Sequence, residues 1–283
     1  MTANDRYKGE DGGLYGAGMN VPPPAQYNAA LAEMAKIKPL DASGNPSASG
    51  KIGFISIGMS NTTMEFSVFK QLADADPSKS SAVSIVDGAQ GGQTAKIWAT
   101  QSSPWQVLAQ RLQAAGVTPA QVQVAWIKQA DAQPTGEFPA EAQELQGELA
   151  VIVQKLQQSY PNIRISYLSS RIYAGYATTA LNPEPYAYEG AFSVRWLIQN
   201  QINGNPGLNY NAAAGPVTSP LLLWGPYLWA AGLTPRSDGL TWLPGDFTTT
   251  DGTHPSTSGS LKVANMLLHF LKTNELARPW FEK

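Results

Sequence analysis

The chain has 283 residues, enough for one large domain or two small ones, and 43% of them are hydrophobic. The 19 Lys and Arg residues nearly balance the 21 Asp and Glu residues, and no basic run interleaves with aromatic residues, so nucleic acid is not an expected partner. The lack of cysteine excludes disulfides and a Cys nucleophile, and two histidines are too few for a His-rich metal site, so we expect no metal and no other cofactor.

Two sequence features bear on the location of the protein: an export leader and a membrane-spanning segment. Residues 1–18 are polar and Gly-rich and do not resemble a signal peptide, so the protein is either cytoplasmic or exported with its leader removed. Low charge and a high content of Gln, Asn, Ser and Thr favour a secreted or periplasmic protein. The longest apolar stretch, over 221–233, contains Gly225-Pro226 and is too short to span a bilayer, so no membrane span is predicted.

The predicted elements begin after an irregular arm over residues 1–24. Apolar residues at helical spacing predict a helix over 27–38, and a loop rich in Gly, Ser and Asn follows over 41–50. No linker divides the rest of the chain. We therefore expect residues 1–50 to form an arm and a helix packed on one domain that spans 51–283.

From residue 51 onward, short apolar segments alternate with amphipathic segments, which predicts an α/β fold with a parallel sheet covered on both faces. The predicted strands cover 52–57, 82–86, 122–127, 163–168 and 221–224. The predicted helices cover 61–75, with Thr62 and Glu65 at capping-box spacing, then 104–115, 139–160, 188–202 and 257–271.

Residues suited to chemistry follow these strands. Ser60 comes after the first strand, Gly91 and Gly92 after the second, and Gln129 after the third. Ligands of such sheets bind beyond the carboxyl ends of the strands. The loop before the last helix, which carries Asp251 and His254, is expected at the same edge, so we predict the functional site there.

Ser60, His254 and Asp251 supply the nucleophile, the base and the base-orienting carboxylate of a serine hydrolase. The three-residue offset lets Asp251 accept a hydrogen bond from Nδ1 of His254 while Nε2 faces the nucleophile. The other histidine, His269, lies in an amphipathic helix pattern and is interpreted as a packed residue. The alternative is structural: a helix-capping Ser60, a turn-forming Asp251 and a capping His254.

Three groups are candidates for an oxyanion hole. The backbone N–H of Ser60 is expected near a helix N-terminus, an environment that favours negative charge. The backbone N–H of Gly92 and the side-chain amide of Gln129 are the other candidate donors. A plain Gly-rich turn and a solvated polar residue at a strand end are the respective alternatives.

These residues resemble three blocks of the SGNH (GDSL-type) serine hydrolase and esterase family, in family order. Residues 58–60 (Gly-Met-Ser) stand where the family has Gly-Asp-Ser, with Met59 replacing the Asp. Residues 91–94 (Gly-Gly-Gln-Thr) resemble the second block, with Gly92 at the oxyanion glycine. Residues 251–254 (Asp-Gly-Thr-His) match the last block, Asp-x-x-His.

The family's third block, Gly-x-Asn-Asp, is replaced by Ile-Lys-Gln-Ala-Asp over 127–131. Aligning on Asp131 puts Ala130 at the Asn position, and Gln129 is the nearest amide. The resemblance implies a three-layer α/β/α sandwich with a flavodoxin-like five-stranded parallel sheet. It also implies hydrolysis of an ester through an acyl-serine intermediate, with no metal.

The Tyr-rich segment over 171–196 follows the fourth strand and would border the same edge. Tyr and Trp around a polar cleft suit a sugar that carries a short acyl group. We therefore expect a serine esterase that acts on short-chain acyl esters, either acetyl groups on carbohydrates or other small esters. A lipase-like enzyme with a longer acyl site over 221–233, an acyltransferase and a non-catalytic carbohydrate-binding domain are the alternatives, and the oligomeric state is not predicted.

Overall fold

The computed structural model describes residues 2–283, and its central feature is a parallel sheet. Two short strands in the N-terminal arm, β1 (Arg6–Tyr7) and β2 (Glu10–Asp11), form a separate antiparallel pair. The strands of the main sheet are β3 (Ile52–Gly58), β4 (Val83–Val86), β5 (Val122–Lys128), β6 (Ile165–Ser169) and β7 (Leu221–Trp224). Their order is β4-β3-β5-β6-β7, with parallel pairing throughout.

Helices follow or precede each of these strands. The α-helices are α1 (Pro24–Met34), α2 (Ser60–Ala75), α3 (Ala95–Thr100), α4 (Ser103–Ala114), α5 (Ala140–Ser159), α6 (Tyr186–Ile202), α7 (Thr257–Thr273) and α8 (Arg278–Phe281). Short 3₁₀ turns occur at Pro119–Gln121, Pro206–Leu208, Ala212–Ala214 and Pro244–Asp246. Across residues 2–283, none of the helices combines the length and the apolar content needed to cross a bilayer.

Two apolar clusters cover the two faces of the sheet. Along β3, Phe54 packs with α1, α2, α7 and α8, whereas Ile55 and Ile57 pack with α3, α4, α5 and α6. Every residue of β3 and β5 is buried, as expected of parallel strands covered on both sides. The predicted three-layer α/β/α sandwich with a flavodoxin-like five-stranded sheet is confirmed.

Some local predictions are wrong. The first helix ends at Met34 rather than at residue 38, and it begins at Pro24, where a proline is favoured because the first helical N–H needs no partner. Helices α3 and α8 were not predicted, because six and four residues are too few to show a periodic pattern. The capping box is also wrong, because Met59 is the N-cap residue of α2 and no side chain caps it.

The N-terminal arm is ordered against α6 and contains the β1–β2 hairpin, although it was expected to be irregular; Met1 lies outside the described residues. The hydroxyl of Tyr7 donates to Glu189, and the guanidinium of Arg195 pairs with Asp11. The side chain of Gln199 donates to the carbonyl of Tyr15 at 3.0 Å. These contacts attach the arm to α6, and the indole N–H of Trp224, at the carboxyl end of β7, donates to the carbonyl of Leu14 at 2.7 Å.

Candidate active site

Ser60 is the first residue of α2, directly after the end of β3. The turn between them requires Gly58, because a Cβ at this position would lie 2.2 Å from Oγ1 of Thr62 and 2.5 Å from the carbonyl oxygen of Lys128. Thr62 donates to that same carbonyl at 2.7 Å. The start of α2 is therefore held against the end of β5, and this contact fixes the place of Ser60 at the sheet edge.

Ser60, His254 and Asp251 form a continuous hydrogen-bonded series. Oγ of Ser60 lies 2.7 Å from Nε2 of His254, and Nδ1 of His254 is hydrogen-bonded to Oδ2 of Asp251. The side chain of His254 is 25% exposed, so the pair is open to solvent. The structure brings together the three residues that the sequence predicts as nucleophile, base and base-orienter.

Asp251 is held as an ionised carboxylate. Burial would raise its pKa, but the backbone amides of His254 and Thr253, with the side chains of His254 and Thr248, hold the pKa well below its usual range. Oδ1 accepts from these two amides at 3.0 and 2.9 Å and from the Thr248 hydroxyl at 2.8 Å. A carboxylate so placed keeps the imidazole in the tautomer that accepts a proton on Nε2.

The loop that carries Asp251 and His254 is fixed from two sides. The side-chain amide of Asn61, next to Ser60, donates to the carbonyl of Thr253 at 3.0 Å. On the other side, Gly252 has φ +62°, and a Cβ there would lie 1.9 Å from the carbonyl oxygen of Tyr176. Glycine is therefore required for the loop to pack this closely.

Two of the predicted oxyanion donors are backbone N–H groups in the turns at and beside Ser60. The N–H of Ser60 is in the first turn of α2, where backbone donors have no partner within the helix. The Gly91–Gly92 turn adjoins it, since a Cβ on Gly91 would lie 4.0 Å from Cβ of Ser60. Within residues 2–283, the N–H of Gly92 meets no protein acceptor, and its φ of +75° turns the chain here.

Gln129, the third predicted donor, follows β5 and is buried. Its Nε2 donates to the carbonyl of Gln93 at 3.2 Å, and its Oε1 accepts from the N–H of Ala130 at 3.2 Å. Gln129 thus ties the end of β5 to the loop that contains Gly92, with one Nε2 hydrogen left over. Asp131 accepts from the N–H of Lys96 at 3.1 Å, in the first turn of α3.

The interpretation of His269 is wrong. This histidine was interpreted as a packed residue, but its side chain is exposed on α7. The helix pattern was read correctly, but the position of His269 within the turn places it on the solvent side of a helix whose buried positions include Val263, Leu267 and Leu271.

Sequence reasoning missed a buried ion pair behind the site. Lys128 of β5 contacts both carboxylate oxygens of Glu65 on α2, and both side chains are almost fully buried. Burial raises the pKa of Glu65 and lowers that of Lys128 to about 8, against the opposing attraction within the pair. The sequence pattern predicts a capping role for Glu65, and nothing else at this position indicates a buried ion pair.

Asp87, at the end of β4, was also missed. It accepts hydrogen bonds from the hydroxyls of Ser56 and Thr63, while Arg111 donates to the carbonyls of Asp87 and Ala89 at 2.8 Å each. Burial raises the pKa of Asp87, and the two hydroxyls lower it. These contacts anchor the loop that leads to Gly92.

Across residues 2–283, no cluster of three or more His, Asp and Glu side chains is arranged to hold a metal ion.

No protein-family model matches the chain, and no curated protein sequence matches it either. Solved structures with a related architecture include an acetyl esterase, which is 13% identical with a TM-score of 0.46 over 76% of this chain and 94% of that one. A proposed acylhydrolase from Bacteroides fragilis is 15% identical with a TM-score of 0.48, over 90% and 99% of the two chains. An extracellular lipase from Streptomyces rimosus is 13% identical with a TM-score of 0.35, over 76% and 99%. Likeness at this level describes architecture alone, so the function has to be argued from the site.

Proposed function

We propose that the protein is a serine esterase that hydrolyses short-chain acyl esters, with acetylated carbohydrates as its substrate class. The observation that carries this proposal is the series Asp251–His254–Ser60, in which an oriented imidazole contacts a hydroxyl at a helix N-terminus. A hydroxyl is a weak nucleophile until an adjacent base takes its proton. No other histidine contacts a serine hydroxyl within the described part of the chain, so the proposal names one base and one nucleophile.

The acylation step uses these groups in order. Nε2 of His254 takes the proton from Oγ of Ser60 as the oxygen attacks the ester carbonyl, and Asp251 stabilises the imidazolium that forms. The N–H groups of Ser60 and Gly92, with the spare Nε2 hydrogen of Gln129, donate to the developing oxyanion. His254 then gives its proton to the leaving alcohol, and the acyl group remains on Ser60.

Deacylation repeats the sequence with water. His254 takes a proton from a water molecule that attacks the acyl carbonyl, the same donors hold the oxyanion, and the proton returns to Oγ of Ser60 as the acid leaves. The 25% exposure of the His254 side chain gives water a route to the acyl-enzyme.

The aromatic surroundings support a carbohydrate as the alcohol portion. The backbone carbonyl of Tyr176 lies against Gly252 of the loop that carries His254, and Tyr173 packs edge-on against Tyr176 with 5.2 Å between ring centroids. Both tyrosines are half-buried. Partly exposed aromatic rings beside a polar site suit the apolar faces of sugar rings, with their hydroxyls left to polar groups.

The proposal is tested with p-nitrophenyl acetate. We expect turnover by the wild-type protein and a loss of about 10³- to 10⁶-fold in kcat for Ser60→Ala and for His254→Ala, because the nucleophile and the base act as a unit. His269→Ala is the matched control, since it removes the exposed histidine of α7. It should retain wild-type turnover.

Equal and negligible rates in the wild type and all three variants, with the fold intact by circular dichroism, would contradict the esterase proposal. Acetate release from acetylated oligosaccharides, compared with hydrolysis of p-nitrophenyl octanoate, then tests the substrate class. Faster turnover of the octanoate ester would favour a lipase-like enzyme. Acetyl transfer to an added alcohol in preference to water would identify an acyltransferase.

A further inference from the structure

A cavity of about 590 Å³ lies between the N-terminal arm, α6 and the loop after β7. None of the proposed catalytic residues lines it. Six aromatic side chains form much of its wall: Tyr7, Tyr188, Phe192, Trp224, Tyr227 and Trp229. A cavity of this size accommodates a small organic molecule or a few sugar units.

Two polar groups in this wall have no protein partner within residues 2–283. Arg195 is 9% exposed and uses its terminal nitrogens on Asp11, but its Nε–H has no acceptor. The hydroxyl of Tyr227 is buried and also without a partner. Buried polar groups in folded proteins are nearly always hydrogen-bonded, and a ligand with polar atoms would supply partners for these two.

The charges of the wall restrict the ligand to a neutral molecule. Three Asp and three Arg side chains line the cavity and cancel formally: Asp5, Asp11, Asp238, Arg6, Arg195 and Arg236. Two pairs among them are ion-paired, Arg195 with Asp11 and Arg236 with Asp238. An acyl chain in this cavity would remove these charged groups from water without offering them a hydrogen bond, which is costly. A sugar offers hydroxyls to them and an apolar ring face to the aromatic side chains.

Ring contacts lead from the cavity towards the loop that carries His254. Trp229 of the cavity wall packs against Tyr188 of the same wall, with 4.7 Å between centroids, and against Tyr173, with 6.2 Å between centroids. Tyr173 packs in turn against the ring of Tyr176, whose backbone carbonyl lies close to Gly252.

We propose that this cavity is a subsite for a neutral oligosaccharide, which holds sugar units distant from the acylated one. The proposal rests on the proposed esterase function, and it adds the part of the chain that recognises the alcohol portion of the substrate. The N-terminal arm is then a wall of the binding site, because Tyr7, Asp11 and Leu14 all line the cavity.

Isothermal titration calorimetry of Ser60→Ala with unacylated cellotetraose, xylotetraose and mannotetraose tests the subsite without turnover. We expect saturable binding of at least one of the three. Tyr227→Phe in the same background should weaken that binding about three- to tenfold, because it removes one hydrogen bond to the ligand. Its melting temperature should not fall, because the lost hydroxyl has no protein partner.

Tyr160→Phe is the matched control, a buried tyrosine after α5 at the opposite edge of the sheet, and it should leave binding unchanged. The subsite is overturned if none of the three sugars binds at millimolar concentration, if Tyr227→Phe binds as tightly as its background, or if octanoate binds in preference to the sugars. These results are independent of p-nitrophenyl acetate turnover. Active enzyme without sugar binding would reject the subsite alone, and sugar binding by a protein inactive in the wild type would reject the esterase alone.

Discussion

Oγ of Ser60 lies 2.7 Å from Nε2 of His254, although 194 positions separate the two residues in the chain. Ser60 is placed by the turn between β3 and α2, and His254 by the loop that precedes α7. The two helices pack against each other on the same face of the sheet. The contact therefore depends on the tertiary fold, and it responds to changes in either segment that carries it.

Asp251→Asn should lower kcat for p-nitrophenyl acetate about 10⁴-fold while the fold is retained, because an amide can neither fix the productive imidazole tautomer nor stabilise the imidazolium. Asp74→Asn, which alters an exposed aspartate of α2, is the control and should keep wild-type turnover. A loss of less than tenfold in Asp251→Asn would show that the carboxylate does not assist a base.

Gly252→Ala should reduce turnover by several orders of magnitude, because its Cβ would overlap the carbonyl of Tyr176 and displace the loop that carries His254. The positive φ of +62° adds strain for any residue other than glycine. Gly245→Ala is a matched control from the 3₁₀ turn just upstream, where a Cβ meets no atom within 4 Å. Kinetics and circular dichroism on both variants check this, and wild-type kcat in Gly252→Ala would disprove the role of the close contact.

Much of the fold could be predicted because its signals are local. The apolar runs of β3 and β5 stand out since every residue is buried, and Asp251 and His254 lie three residues apart. Placing Ser60 beside them needed one further rule, that parallel strands end at a common edge.

What the sequence could not predict depends on contacts between distant residues. Lys128 and Glu65 are 63 positions apart, and neither position has a pattern that marks it as half of a buried pair. The cavity joins the N-terminal arm to segments about two hundred residues away, and no motif spans that interval. His269 was predicted to be packed but is exposed. This error is smaller, because a helical period does not say which neighbouring positions belong to the buried face.

Lys128→Met should lower the free energy of unfolding by about 3–5 kcal/mol, because it leaves the carboxylate of Glu65 buried and unpaired. The double variant Glu65→Leu/Lys128→Met should recover most of that loss, since two apolar side chains need no partner. Lys70→Met, which breaks the exposed ion pair with Asp74 on the same helix, should cost less than about 1 kcal/mol. Urea unfolding measures the free energy of unfolding of the three variants. Equal losses in Lys128→Met and Lys70→Met would contradict the larger contribution expected of the buried pair.

Glu148 should make the stability of the protein fall as the pH rises. Burial, and after it the nearby carboxyl of Asp131, raises the pKa of Glu148 from an ordinary 4.5 to about 9. The folded protein therefore keeps a proton there that the unfolded chain releases, so the stabilising contribution is full below pH 4.5 and is lost as the pH rises towards 9. Glu148→Gln keeps the size and shape of the side chain and does not titrate.

The variant Glu148→Gln should accordingly melt at a higher temperature than the wild type near pH 8 and at the same temperature near pH 4. Glu144→Gln, one turn earlier on α5 and exposed, is the control and should show no such difference between the two pH values. Thermal unfolding followed by circular dichroism at a series of pH values measures the effect. A melting-temperature difference between Glu148→Gln and wild type that does not change with pH would contradict the raised pKa of Glu148 in the folded protein.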